Sequence, residues 1–162
     1  MSPPPTETTE DRRKWPQQWA EEVHGNQNVD FIDDYHAPDW VGHFDGDELT
    51  NPEYKAMQRQ LLAGFPDAEF DFGPVIVEGN TVAGHWVMNG THTGEFVGLK
   101  PTGRAVCVTG TFVTHYDQDG RAVETWETID QLSLLRQLGI APEDFTVGSM
   151  LRTLANLVKT SL

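Results

Sequence analysis

Toward its C-terminal end the chain carries acidic side chains at strand spacing. Glu124, Trp126, Thr128 and Asp130 fall on alternate positions, and Val123, Thr125, Glu127 and Ile129 occupy the positions between. Side chains alternate faces along a strand, so each set shares one face. If the first set lines a cavity, that wall holds one large aromatic ring and several polar groups, with Asp130 at its closed end. A carboxylate there loses hydration, and desolvation raises its pKa toward that of a usable proton acceptor. Asp130 is then a candidate general base. It also has a second reading. Asp130 precedes a helix-like run, and Asp is a favoured helix N-cap. Position 133 is Ser133, so the second half of a capping box is missing. The two readings predict different surroundings: an apolar hollow, or the amides of the next turn.

Six histidines could move protons: His24, His36, His43, His85, His92 and His115. No pair among them has the spacing of metal ligands on a helix or strand, so no metal site is expected. On its own, His43 reads as a loop histidine bonded to backbone. Trp40, Trp86 and Trp126 would make a flat-walled pocket for a polycyclic or aromatic ligand, and each also reads as ordinary core. Cys107, in Ala-Val-Cys-Val, reads as a small core residue. The chain has no Ser-His-Asp spacing, phosphate loop, Cys-x-x-Cys pair or dinucleotide fingerprint.

These residues must be positioned by a chain of mixed periodicity. Met1 to about Thr9 reads as a tail rich in Pro, Thr and Glu. Glu10 to Val23 is helix-like, with a start at Pro16 suggested by the proline. Asn28 to Ala37 reads as a second helix stopped by Pro38, followed by a short extended piece through His43 and an acidic loop over Asp45 to Thr50. Asn51-Pro52-Glu53 opens a third helix, with Asn51 as N-cap, which ends near Gly64. From Ala68 the period changes to two. A kink is expected at Gly73-Pro74, a hairpin at Glu78-Gly79-Asn80, and long strands over Val82 to Asn89 and Arg104 to Tyr116. Glu143 to Leu162 shows the i, i+3, i+4, i+7 pattern of an amphipathic helix. Helices, then long antiparallel strands, then a helix, is an α+β pattern.

Composition narrows the function classes. The 162 residues suit one domain with a sizeable core. With 25 acidic against 11 basic residues the net charge is −14, which argues against nucleic acid or an anionic membrane as partner. The acidity is also compatible with a salt-loving source. No apolar run approaches the ~20 residues of a membrane span. The N-terminus lacks an apolar signal core, so a cytoplasmic protein is expected.

Two runs carry a resemblance. One is Gly90-Thr91-His92-Thr93-Gly94-Glu95-Phe96 with Lys100-Pro101-Thr102-Gly103-Arg104. The other runs from Asp119-Gly120-Arg121 through Glu124, Trp126 and Asp130 to Gln137-Leu138-Gly139. With Phe65-Pro66-Asp67 upstream, the stretch from about Val29 to Pro142 resembles the SnoaL-like polyketide cyclases, or ester cyclases, of the NTF2-like superfamily. The resemblance implies an NTF2-like cone over residues 10–142, a curved antiparallel sheet wrapped around helices, with a tail over 1–9 and the extra helix over 143–162. It implies a cofactor-free, acid–base ring closure of aldol type on a small hydrophobic polyketide-like molecule, with Asp130 as base. His43 stands where the family usually places a pocket histidine. His115 lies about one position from the strand histidine that assists the aspartate in such cyclases. His85 replaces a frequent arginine. Trp40, His85, Trp86, Glu124, Trp126 and Thr128 are the expected substrate contacts, and a homodimer or larger homo-oligomer is the expected assembly. Alternatives on the same fold are a ligand-binding or dimerisation module without chemistry, an isomerase, a dehydratase, or an epoxide hydrolase. The last would use an Asp-Arg-Asp set, and Arg104, at the start of its strand, fits that poorly.

Overall fold

The computed structural model describes residues 9–141. The expected tail before residue 9 and the amphipathic helix over 143–162 lie outside the described residues. The first helix, α1 (Thr9–Ala20), begins at Thr9 rather than Pro16 and passes through the proline before a π-helical turn at Glu21–Gly25. Its first turn is anchored to the sheet. The Arg12 guanidinium donates to the Gly79 carbonyl at 2.6 Å and to Asn80 Oδ1 at 3.0 Å. Trp15 packs on Tyr116 with ring centroids 4.5 Å apart, so α1 covers its own sheet.

The second expected helix is mostly absent. A 3-10 turn (Val29–Phe31) and one helical turn, α2 (Ile32–Tyr35), lead directly into strand β1 (His36–Phe44). Pro38 explains the switch: it cannot donate an amide to a continuing helix, and it biases the preceding residue to extended backbone. The acidic loop contains a short strand, β2 (Asp47–Leu49), paired with β1. Helix α3 (Asn51–Gly64) starts one residue earlier than the Asn51 cap expected. Thr50 is the N-cap, and the Glu53 carboxylate accepts from the Thr50 amide at 2.8 Å and its hydroxyl at 2.7 Å.

Strands β3 (Glu69–Glu78), β4 (Thr81–Thr91), β5 (Ala105–Tyr116) and β6 (Ala122–Ile129) follow, then helix α4 (Gln131–Gln137). The sheet order is β2-β1-β6-β5-β4-β3, all antiparallel except β1 against β6. The register of β3 shifts between Phe72 and Val75, at the expected Gly73-Pro74 kink. The sheet is curved and the helices sit in its concavity, the α+β architecture of the NTF2-like cone. Among the described residues, no helix is long and apolar enough to cross a membrane.

The motif residues clamp these elements together. Gln137 mimics a neighbouring strand: its side chain accepts from the Cys107 amide at 2.7 Å and donates to the Cys107 carbonyl at 2.9 Å, fastening α4 to β5. Asp67 accepts from the Thr91 amide at 2.7 Å. His92 is fully buried on Phe65, bonds Thr102 Oγ1 at 3.1 Å, and organises the glycine-rich connection. Cys107 itself is exposed on the outside of the sheet, not a core residue as expected.

Candidate active site

Strand β5 sets the polarity of the sheet. Val106, Val108, Gly110, Phe112, Thr114 and Tyr116 are buried, and the residues between are largely exposed. Residues directly opposite in an antiparallel pair share a face. Phe112 pairs with Glu127 and Thr114 with Thr125, so Glu127 and Thr125 point inward; Val113 pairs with Trp126 and His115 with Glu124, so those point outward. The face of β6 expected to line a cavity, Glu124, Trp126, Thr128 and Asp130, is therefore the outer face.

Inside the cone lies a cavity of about 380 Å³, lined chiefly by aromatic and aliphatic side chains. That is the size of a small-molecule site. Of the expected site residues, Trp40 and Trp86 line it; His43, His85, His115, Glu124, Trp126, Thr128 and Asp130 do not. Asp130 is the N-cap of α4: it is exposed, and its Oδ1 accepts from the Ser133 amide at 2.9 Å. His43 bonds Glu124 at 2.9 Å on the outside of the sheet.

Glu127 is the one carboxylate that lines the cavity among the described residues. Its Oε1 accepts from the Trp86 indole N–H at 2.8 Å. Burial pushes its pKa up to about 7, and the charge of Asp45 adds to the rise while the Trp86 bond opposes it. Glu127 is half-buried and lines the cavity, so a guest there can reach it. Gly110 makes this possible. A Cβ there would stand 2.2 Å from Trp86 Cζ2, so a residue without a side chain leaves the space the indole fills.

His36 is the second titratable group in the wall. Asn51, released from capping, donates through Nδ2 to the Ala37 carbonyl at 2.8 Å, which aims its Oδ1 at His36 Nδ1, also at 2.8 Å. An acceptor at that position places the proton on Nδ1 and leaves Nε2 as the lone-pair nitrogen. Burial lowers the His36 pKa to about 4, so the ring is neutral at pH 7. Its ring stacks on Trp40 with centroids 4.1 Å apart. Residues four apart on a straight strand are ~13 Å apart. The irregularity in β1 between His36 and Val41 folds the two rings together. Three phenols complete the polar lining. Tyr35 and Tyr116 share a hydrogen bond between their hydroxyls, and Tyr54 lies close enough to Glu127 to feel its charge. Burial raises all three pKa values, which keeps them as O–H groups. Thr125 Oγ1 accepts from the Trp40 indole at 3.1 Å.

Sequence reasoning passed over Glu127, His36 and the tyrosines. The available signal was in β5, whose apolar alternation identifies its inward residues and, once paired, the inward residues of β6.

A sequence model of the SnoaL-like polyketide cyclase family matches residues 16–138. No curated protein matches the chain. Among solved structures, a provisionally assigned polyketide cyclase from Acidithiobacillus ferrooxidans is similar, with 28% identity and a TM-score of 0.68, over 84% of this chain and 100% of that one. IdmH from Streptomyces antibioticus, also provisionally a polyketide cyclase, is 27% identical over 79% of this chain and 99% of its own, with a TM-score of 0.68. AclR from Streptomyces galilaeus, provisionally described as a hydroxylase, is 27% identical over 81% of this chain and 98% of its own, with a TM-score of 0.72. The matched span exceeds half of the sequence and contains the whole sheet, and the chain belongs to the SnoaL-like polyketide cyclase family.

Proposed function

We propose that the cavity is the reaction site of a cofactor-free cyclase and that Glu127, in place of Asp130, is its general base. Family membership supports cyclase-type activity on a small hydrophobic molecule. The observation that carries the finer reading is a single carboxylate, raised to about 7, facing an aromatic-walled cavity. At that pKa the group is substantially ionised near neutral pH and still basic enough to accept a carbon-bound proton.

The reaction that fits is an intramolecular aldol closure. Glu127 takes a proton from a carbon next to a carbonyl. The resulting enolate carbon attacks a second carbonyl carbon of the same molecule, and one carbon–carbon bond forms. The alkoxide left on the second carbonyl recovers the proton from the Glu127 carboxylic acid, so the product is an isomer of the substrate. Buried tyrosine hydroxyls donate to the enolate oxygen, and His36 Nε2 accepts from a substrate hydroxyl. The aromatic walls hold a planar molecule with its reacting carbons together, and this orientation supplies a large part of the rate.

The test is a panel of aromatic polyketide-like diketones and keto-esters, monitored for a product of unchanged mass and altered retention. Asp130→Asn separates the two carboxylates. Asn caps a helix as well as Asp does, so this variant folds normally and turns over substrate at close to the wild-type rate. Loss of turnover in Asp130→Asn with retention in Glu127→Gln would transfer the role of base to Asp130.

A further inference from the structure

The rim of the cavity carries a feature that the ring closure does not use. Among the described lining residues, Gln60, Val97, Gln131 and Leu135 are exposed and the others are not, so these four mark the mouth. Val97 sits at the tip of a two-residue hairpin. The Phe96 amide donates to the Leu99 carbonyl at 3.1 Å, and the Leu99 amide donates to the Phe96 carbonyl at 2.8 Å. φ is +45° at Val97 and +81° at Gly98, the left-handed pair that a type I′ turn requires. Gly98 suits its place, since glycine adopts this backbone without steric cost. Val97 does not. Left-handed backbone brings a Cβ too close to the following carbonyl oxygen, a β-branched residue there is an outlier, and asparagine is the residue such turns ordinarily hold. The legs of the hairpin hold the strained backbone in place. The Thr93 and Gly94 amides both donate to the Gly64 carbonyl at 3.1 Å, and the Phe96 ring meets Phe65 edge-on at 5.2 Å. Packing within the described residues does not offset the strain, because Val97 is 61% exposed.

We infer that Val97 is a specificity-determining residue, held at the mouth so that its apolar side chain covers a guest that fills the cavity. This role rests on the cavity as the reaction site. Backbone strain persists where the surrounding structure over-determines it, and it clusters at ligand clamps. Val97 lines the cavity and yet stands largely in water. A guest that reaches the mouth removes this surface from water, which is favourable in proportion to the apolar area covered. A round cavity of about 380 Å³ is roughly 9 Å across. A one-ring diketone fits within that span, and an extended two-ring diketone reaches the rim. Val97 therefore favours the longer apolar guest while it destabilises the fold. An asparagine in its place reverses both effects: it suits the turn and offers the guest a polar amide.

Dibenzoylmethane, a two-ring diketone, and benzoylacetone, a one-ring diketone, are the probes. Trp40 and Trp86 line the cavity, so quenching of tryptophan fluorescence in the full chain reads binding without turnover. Val97→Asn weakens dibenzoylmethane binding by about 3–10-fold, the effect of uncovering part of one valine side chain, and leaves benzoylacetone within about twofold of wild type. The same substitution raises Tm by about 2–5 °C, because the left-handed strain is relieved. Val97→Thr keeps the β-branch and the strain. Its Tm stays below that of Val97→Asn, and its affinity for dibenzoylmethane falls between those of wild type and Val97→Asn. Wild-type affinity for both probes in Val97→Asn overturns the inference, and so does a Val97→Asn protein no more stable than wild type. Absence of quenching by dibenzoylmethane in the wild type overturns it together with the cavity as a diketone site. A wrong assignment of Glu127 as base shows elsewhere, as undiminished turnover in Glu127→Gln, and leaves these affinities as stated.

Discussion

Glu127→Gln lowers turnover by about 10²–10⁴-fold, the contribution of a positioned general base, and makes the protein more stable above neutral pH. The two effects share one cause. The ordinary pKa of 4.5 is raised to about 7 in the folded protein, so the folded state binds this proton more tightly than the unfolded state. Below pH 4.5 both states hold the proton and Glu127 has no charge to bury. As the pH rises from 4.5 to about 7 the carboxylate ionises at growing expense to the folded state, and above 7 the penalty is constant. A gap of that size corresponds to at most about 3 kcal/mol, less whatever hydration the cavity supplies. The glutamine keeps an oxygen for the Trp86 N–H and removes the charge. Urea unfolding at pH 8 therefore gives a higher midpoint for Glu127→Gln than for wild type, and at pH 4 the midpoints converge. Equal midpoints at pH 8 would mean that the carboxylate is hydrated and the cavity is no site for a tuned base.

Gly110→Ala has the second large effect. The new Cβ would stand 2.2 Å and 2.4 Å from ring carbons of Trp86 and 2.9 Å from the Thr128 carbonyl oxygen. The backbone at Thr128 belongs to a paired strand, so the indole must move. Overpacking of this kind costs about 1–3 kcal/mol. Displacing the indole also breaks its 2.8 Å bond to Glu127 and strands a buried N–H, for about 1–3 kcal/mol more. The expected total is about 2–5 kcal/mol, with reduced turnover in whatever protein remains folded. Thermal unfolding followed by tryptophan fluorescence reads the loss. An alanine variant within about 0.5 kcal/mol of wild type would show that the indole has room to turn aside and that its bond to Glu127 is dispensable.

The sequence was most legible where one local force acted alone. The kink at Gly73-Pro74, the hairpin after Glu78 and the long strand ending at Tyr116 all follow from backbone chemistry and period, and all are present. It was least legible where two choices were locally balanced. Strand β6 has a large apolar residue and polar groups on each face: Trp126 with Glu124 and Thr128, Ile129 with Thr125 and Glu127. Alternation therefore separates the two faces without saying which is inside, and only pairing with β5 breaks the tie. The same balance hid His36. The helical spacing of Phe31, Ile32 and Tyr35 continued plausibly to Ala37, but Pro38 forces extended backbone and turns His36 into a strand residue stacked on Trp40. At the start of α3, Thr50 with Glu53 outcompetes Asn51 as cap, and the freed Asn51 orients His36. The family motifs were easy to recognise because they are clamps. Gln137, Asp67 and His92 hold elements together, so they mark the fold rather than the reaction.

If one carboxylate inside the cone is tuned by burial, carbon-detected NMR of the Glu127 side-chain carboxyl reads it directly, without a substrate. The signal is assigned by its loss in Glu127→Gln. A titration midpoint near 7 is the predicted result. A midpoint near the ordinary value of 4.5 would contradict it.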